Sequence, residues 1–347
     1  MKPVTMTGSA VQDDGTMTVP SFDLPLSAYA SPESREFVVQ QFRSPRANLT
    51  NIEAARNSVD ANFFGPKVEW LSRLHPGTST KSVIAGVPVQ TFMPQGGIAP
   101  ENRHRVLVNL HGGGFIFGGG GPAGAAESIP IAGLGRIRVI SIDYRLAPEH
   151  CFPAASEDVA AVYRELLKSF PADGIGIYGC SAGGTLAAQA VAWFQQERLP
   201  IPGAIGVFCA SLHRQGEGDS AQIWPRMQST QQVEPVALDP EKFNDSREPY
   251  FSGANPKDPL AVPAASRDVL KAFPPTLFVT SSRAPEMSGA TQSHLELLEL
   301  GVKSQLVIFD GMEHGFIVYP IPEATRAHKL IVQFFMHSLR PSAPGVA

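Results

Sequence analysis

The chain has 347 residues, 43% of them apolar and 17% charged, with a formal net charge of −4. That is enough apolar material for a large buried interior and too little charge for a disordered chain. No basic run invites nucleic acid or an anionic membrane surface, and no apolar stretch approaches the roughly 18 residues of a membrane span. Three scattered cysteines, Cys151, Cys180 and Cys209, suit neither a disulfide scaffold nor a zinc site. The polar N-terminal segment lacks the basic start and apolar block of a secretory signal, so a soluble, cytoplasmic protein is expected.

Residues 1–32 are polar and turn-rich, with prolines at 20, 25 and 32, and read as a lead or an arm laid over the body. Apolar spacing at Phe37, Val38 and Phe42, then at Ile52, Ala55, Val59 and Phe63, predicts short helices within 33–42 and 52–70. A two-residue period over 82–85 and 87–92, broken at Gly86, predicts a β-hairpin. Strands are expected next at 106–110, 139–143, 175–178, 204–210, 276–280 and 304–309. Several are unbroken apolar runs of the kind buried on both faces of a parallel sheet. Helical patterns fall among them at 155–168, 182–196, 286–300 and 324–339. The alternation predicts an α/β layered fold with right-handed crossovers. Residues 211–265 interrupt it with a polar, proline-rich stretch too long for a plain loop. The expected division is 1–80 as arm and cap helices, 81–210 with 266–347 as the body, and 211–265 as a cap insert.

Two glycine-rich turns carry the chemistry. Gly179-Cys180-Ser181-Ala182-Gly183 follows one predicted strand and opens a small-residue helix. A G-x-S-x-G turn in that setting lifts a serine hydroxyl off a strand-to-helix corner. His111-Gly112-Gly113-Gly114-Phe115 follows another strand, and glycines there let backbone N–H groups approach an oxyanion. Gly112 and Gly113, with Ala182 just after the serine, are the expected donors. A serine needs a base and an orienting group. Of nine histidines, His314 lies in a glycine-bounded turn after the last predicted strand, which is where a triad histidine comes. His104, His213, His294 and His328 lie in helical or polar contexts and are expected to face solvent. Phe63, Phe64, Trp70 and Trp224 could line a pocket or simply fill core.

These residues resemble the hormone-sensitive-lipase group of α/β-hydrolases. The likeness runs from about Val106 to Phe316 and includes Asp143-Tyr144-Arg145-Leu146-Ala147-Pro148-Glu149-His150, Tyr250-Phe251-Ser252-Gly253-Ala254 and Asp258-Pro259-Leu260. It implies an α/β-hydrolase fold, with a mostly parallel eight-stranded sheet flanked by helices under a mainly helical cap. It implies a serine carboxylesterase acting on small-molecule esters without cofactor or metal. The 143–150 stretch would buttress the oxyanion loop, and the triple glycine is associated with tolerance of bulky alcohol esters. Members often pair through a sheet edge, which leaves a homodimer open. The chain departs from the group twice. Cys180 stands where Asp usually precedes the nucleophile, and is expected to be a packed thiol. Ala284 stands where the triad acid is expected. Glu286, two positions on, keeps the order Ser, acid, His and is the expected acid, with Asp310 and Glu313 as stand-ins and helix initiation as its plainer role. A receptor-like homologue and an amidase or acyltransferase stay open as alternatives to the esterase.

Overall fold

The computed structural model describes residues 10–19, 23–43, 51–214, 216–227 and 249–340. Most of the arm therefore falls within it, while residue 215 and the stretch 228–248 of the expected cap insert lie outside. Three helices precede the sheet: α1 (Pro32–Arg43), α2 (Ile52–Ser58) and α3 (Gly65–Leu74). A π-helical stretch, Val59–Phe64, joins α2 to α3 without a break. The side chain of Asn51 caps α2 by accepting the Ala54 N–H at 2.7 Å.

The sheet is built from β1 (Gly77–Ile84), β2 (Val87–Pro94), β3 (Val106–Leu110), β4 (Arg138–Ile142), β5 (Ile175–Cys180), β6 (Ala204–Phe208), β7 (Thr276–Ser281) and β8 (Ser304–Phe309). Their spatial order is β8-β7-β6-β5-β3-β4-β2-β1. The β1–β2 and β2–β4 pairs are antiparallel and the other five pairs are parallel. The hairpin begins earlier than its alternation suggests because β1 is an edge strand, exposed along nearly its whole length, so its first residues carry no apolar period. The central strands β3 and β5 are buried at every position, as their apolar runs require.

Helices α4 (Pro122–Gly135), α5 (Ala154–Leu166), α6 (Ala182–Gln196), α7 (Asp219–Met227), α8 (Arg267–Lys271), α9 (Met287–Glu299) and α10 (Pro322–Ser338) complete the described chain. On one face α5 and α6 meet through Tyr163 and Phe194, whose rings stack 4.1 Å apart. On the other, α4 and α10 cover the sheet, with α3 packed on α4 and α1 on α10. Helix α4 has no counterpart in the periodicity of the sequence. It is buried nearly all round, and Pro130 and three glycines interrupt its pattern. His328, expected at the surface, is buried on the inner face of α10, where its Nε2–H donates to the Ile317 carbonyl at 2.7 Å. Burial pushes its pKa down to about 4, so it packs there as a neutral ring.

Candidate active site

Strand β5 ends at Cys180 and α6 begins at Ala182, which isolates Ser181 at the corner with φ 57° and ψ −122°. A non-glycine residue in such a conformation costs about 1–3 kcal/mol and persists only where its surroundings dictate it. They do so here. A Cβ on either Gly179 or Gly183 would overlap the Leu110 carbonyl oxygen, so the corner closes only with glycine at both places. The turn aims the Ser181 hydroxyl away from the sheet and sets it at the N-terminal, positive end of α6.

His314 comes from the loop after β8, and its Nε2 lies 2.9 Å from Ser181 Oγ. Its Nδ1 lies 2.9 Å from Glu286 Oε2. A carboxylate at Nδ1 fixes the proton there and leaves Nε2 to accept the serine O–H. Glu286 is buried, with its side chain 2% exposed, and its other oxygen accepts the Thr280 hydroxyl at 3.2 Å. It occupies the position before α9 but makes no side-chain cap there, because the carboxylate turns to His314 instead. Ala284 is buried in the same turn, and Asp310 is bonded to the hydroxyls of Ser27 and Ser282. Burial alone would lower the His314 pKa, but the charge and hydrogen bond of Glu286 outweigh it and push it up to about 9.

The oxyanion loop follows β3. The Tyr144 hydroxyl donates to the His111 carbonyl at 2.6 Å, and the two rings stack 4.3 Å apart. The Ala147 N–H donates to the Phe115 carbonyl at 2.8 Å. Arg56 of α2 donates to the Ile116 and Ala147 carbonyls, each at 2.8 Å, and pairs with Glu149. The 143–150 stretch thus braces this loop, as its resemblance implies. Gly113, at φ 127°, could not carry a side chain without striking the Phe117 carbonyl. The expected donor set needs one correction. The Gly112 N–H is already taken, donating to Glu127 Oε1 at 2.8 Å. The amides of Gly113 and Ala182 carry no such bond among the described residues.

Sequence reasoning also misses Glu127, a buried carboxylate behind the site on α4. Nothing in a small-residue, proline-bearing segment singles it out, although a glutamate in an otherwise uncharged run of fourteen residues was a signal. Cys180 is a packed thiol beside Cys209, and the hydrogen bond with Cys209, together with burial, holds its pKa well above the ordinary range. Phe64 belongs to the core, whereas Phe63 packs edge-on to Tyr319 at 6.3 Å, near the His314 loop.

A family model described as the alpha/beta hydrolase fold matches residues 107–318, more than half of the chain. An acetyl-hydrolase of Streptomyces hygroscopicus is 29% identical over 237 residues, which span 64% of this chain and 72% of that protein. The crystal structure of an esterase, E25, matches with a TM-score of 0.77 at 28% identity, over 94% of this chain and 99% of the other. That of an esterase from the bacterial hormone-sensitive lipase family matches with a TM-score of 0.71 at 25% identity, over 89% and 99%. With the strand order and the two glycine loops above, these likenesses place the chain in the α/β-hydrolase family, in its hormone-sensitive-lipase group of carboxylic ester hydrolases.

Proposed function

We propose that the protein cleaves short- to medium-chain carboxylic esters through an acyl-enzyme on Ser181. The observation that carries this is the unbroken line Glu286–His314–Ser181, with both bonds at 2.9 Å. Ser181 attacks the ester carbonyl as His314 Nε2 takes its proton, and Glu286 stabilises the imidazolium. The N–H groups of Gly113 and Ala182 receive the oxyanion. The imidazolium then protonates the leaving alcohol, and His314 activates the water that frees the acid. Phe37 and Phe63 pack on Tyr319 beside the His314 loop, an aromatic wall that supports a limit on acyl length. A Cβ on Gly114 would meet nothing within 4 Å, and that open space supports tolerance of a bulky alcohol. The same reading makes 1–80 and 211–265 the cover of a catalytic body formed by 81–210 and 266–347. Ser220 of α7 supports it, because its hydroxyl donates to the Pro285 carbonyl at 2.7 Å and ties that helix to the acid loop.

The direct test is covalent labelling. One equivalent of an alkyl fluorophosphonate should stop ester turnover, and peptide mass spectrometry should find the adduct on Ser181. A label on another residue, or turnover that survives full labelling, would overturn the reading.

The pH profile follows from the sign of the His314 shift. The base must be neutral to act, and Glu286 holds the ring protonated up to about 9. For the free enzyme, kcat/KM should therefore climb across neutral pH, about tenfold per unit well below the midpoint, and level off in the alkaline range. In Glu286→Gln the limb should move down toward the ordinary histidine value of 6.5. Rates of p-nitrophenyl butyrate hydrolysis between about pH 5 and 10 would show both, and a limb unmoved by the substitution would contradict the pairing.

A further inference from the structure

Glu127 sits on α4, 5% exposed, behind the site rather than in it. Its carboxylate takes three donors. Oε1 accepts the Gly112 N–H at 2.8 Å. Oε2 accepts the Asn109 side-chain amide at 2.9 Å and the Cys180 N–H at 3.2 Å. Gly112 precedes Gly113 in the loop after β3, and Cys180, the last residue of β5, precedes Ser181 and Ala182. The two strands are neighbours, with Leu110 opposite Gly179. Asn109 is itself held by the Ser141 hydroxyl of β4 at 2.8 Å, so the carboxylate is anchored across three strands.

Such a group is costly. Burial pushes Glu127 up to about 7 against the pull of its N–H donors. An apolar side chain would fill the space without that cost, but it would leave the Gly112 and Cys180 amides unpaired. All three donors are N–H groups, so the ionised carboxylate is the form the pocket fits.

We propose that Glu127 is a positioning residue for ester hydrolysis. By drawing one amide from each loop onto a single carboxylate, it fixes the separation of the Gly113 and Ala182 N–H groups that receive the oxyanion. The inference rests on the serine-hydrolase reading above and adds to it a residue that touches neither substrate nor nucleophile. A group that only fills core would alter stability. A group that sets donor spacing alters the transition state more than the bound substrate.

Glu127→Gln keeps the size of the side chain but turns an amide N–H₂ toward N–H donors. Its kcat for p-nitrophenyl acetate should fall about 100-fold, the scale of a misplacement of about 1 Å. KM should stay within about twofold. Affinity for an alkylboronic acid, whose serine adduct puts an oxygen between the two donors, should weaken by the same factor as kcat. Fluorophosphonate labelling run to completion counts the competent sites in each sample. Glu127→Asp keeps the charge but is one methylene too short to reach both loops, and it should lose kcat about tenfold or more. It decides the matter if Glu127→Gln does not fold. The inference is overturned by a kcat near wild type, by a fall in kcat with unchanged boronate affinity, or by failure of both variants to fold. Absence of turnover in the wild type would fail the parent reading, whereas wild-type turnover beside an unimpaired Glu127→Gln fails only this one.

Discussion

Ser181→Ala is expected to lower kcat for an activated ester by about a millionfold while leaving the protein folded. The size of the effect comes from what else is within reach. The neighbouring Cys180 thiol is buried and its pKa is held well above the ordinary range, so it offers no thiolate in place of the lost alkoxide. The Gly113 and Ala182 amides and His314 would remain, and through them a small residual acceleration over water. Alanine also suits the corner. The strain at φ 57° is imposed by Gly179 and Gly183, which stay, and the substitution removes one hydrogen bond, to His314. The unfolding temperature should move by no more than a few degrees. Steady-state rates and a melt on the same sample check both statements. Turnover above about one part in a hundred of wild type would mean that another group carries the attack.

Much of this site is legible in the sequence because its parts are set by backbone constraints. Ser181 and Gly113 lie where only particular residues can make the turn, and such places show as glycine spacing beside apolar runs. His314 is legible for the same reason, through its glycine-bounded turn after a strand. The sheet is legible because its central strands are buried on both faces and therefore uniformly apolar. Legibility fails where a role depends on tertiary approach. Helix α4 is buried almost all round and lacks an amphipathic period, so neither the helix nor Glu127 on it can be read from the pattern. The Gly112 amide looks like a donor to substrate until Glu127 is seen to hold it. His328 has the setting of a surface residue in its sequence, yet the face of α10 that bears it is turned inward. Strand β1 hides for the opposite reason, since an exposed edge has no apolar side to reveal it.

Glu286→Gln should reduce kcat by about 10⁴-fold at neutral pH, with little change in KM. Glu286 Oε2 meets the Nδ1–H of His314 at 2.9 Å, and Oε1 is held by Thr280. If glutamine turns its N–H₂ toward Nδ1, the imidazole must carry its proton on Nε2 instead, where it can no longer receive one from Ser181. If it turns its oxygen there, the tautomer survives but the charge that stabilises the imidazolium is gone. Both orientations slow acylation without touching the space where substrate binds. The carboxylate has no ready substitute. Ala284, at the expected position of the acid, is a buried methyl, and Asp310 is engaged by Ser27 and Ser282. Asp310→Asn should therefore stay within about threefold of wild type in kcat, because it disturbs only the hydroxyl contacts with Ser27 of the N-terminal arm and Ser282, neither of which reaches His314. The opposite ranking, a mild Glu286→Gln beside a severe Asp310→Asn, would show that the acid lies next to His314 in sequence. The predicted ranking would mean that a carboxylate two residues beyond the usual place, with the longer reach of a glutamate, completes the line to the serine.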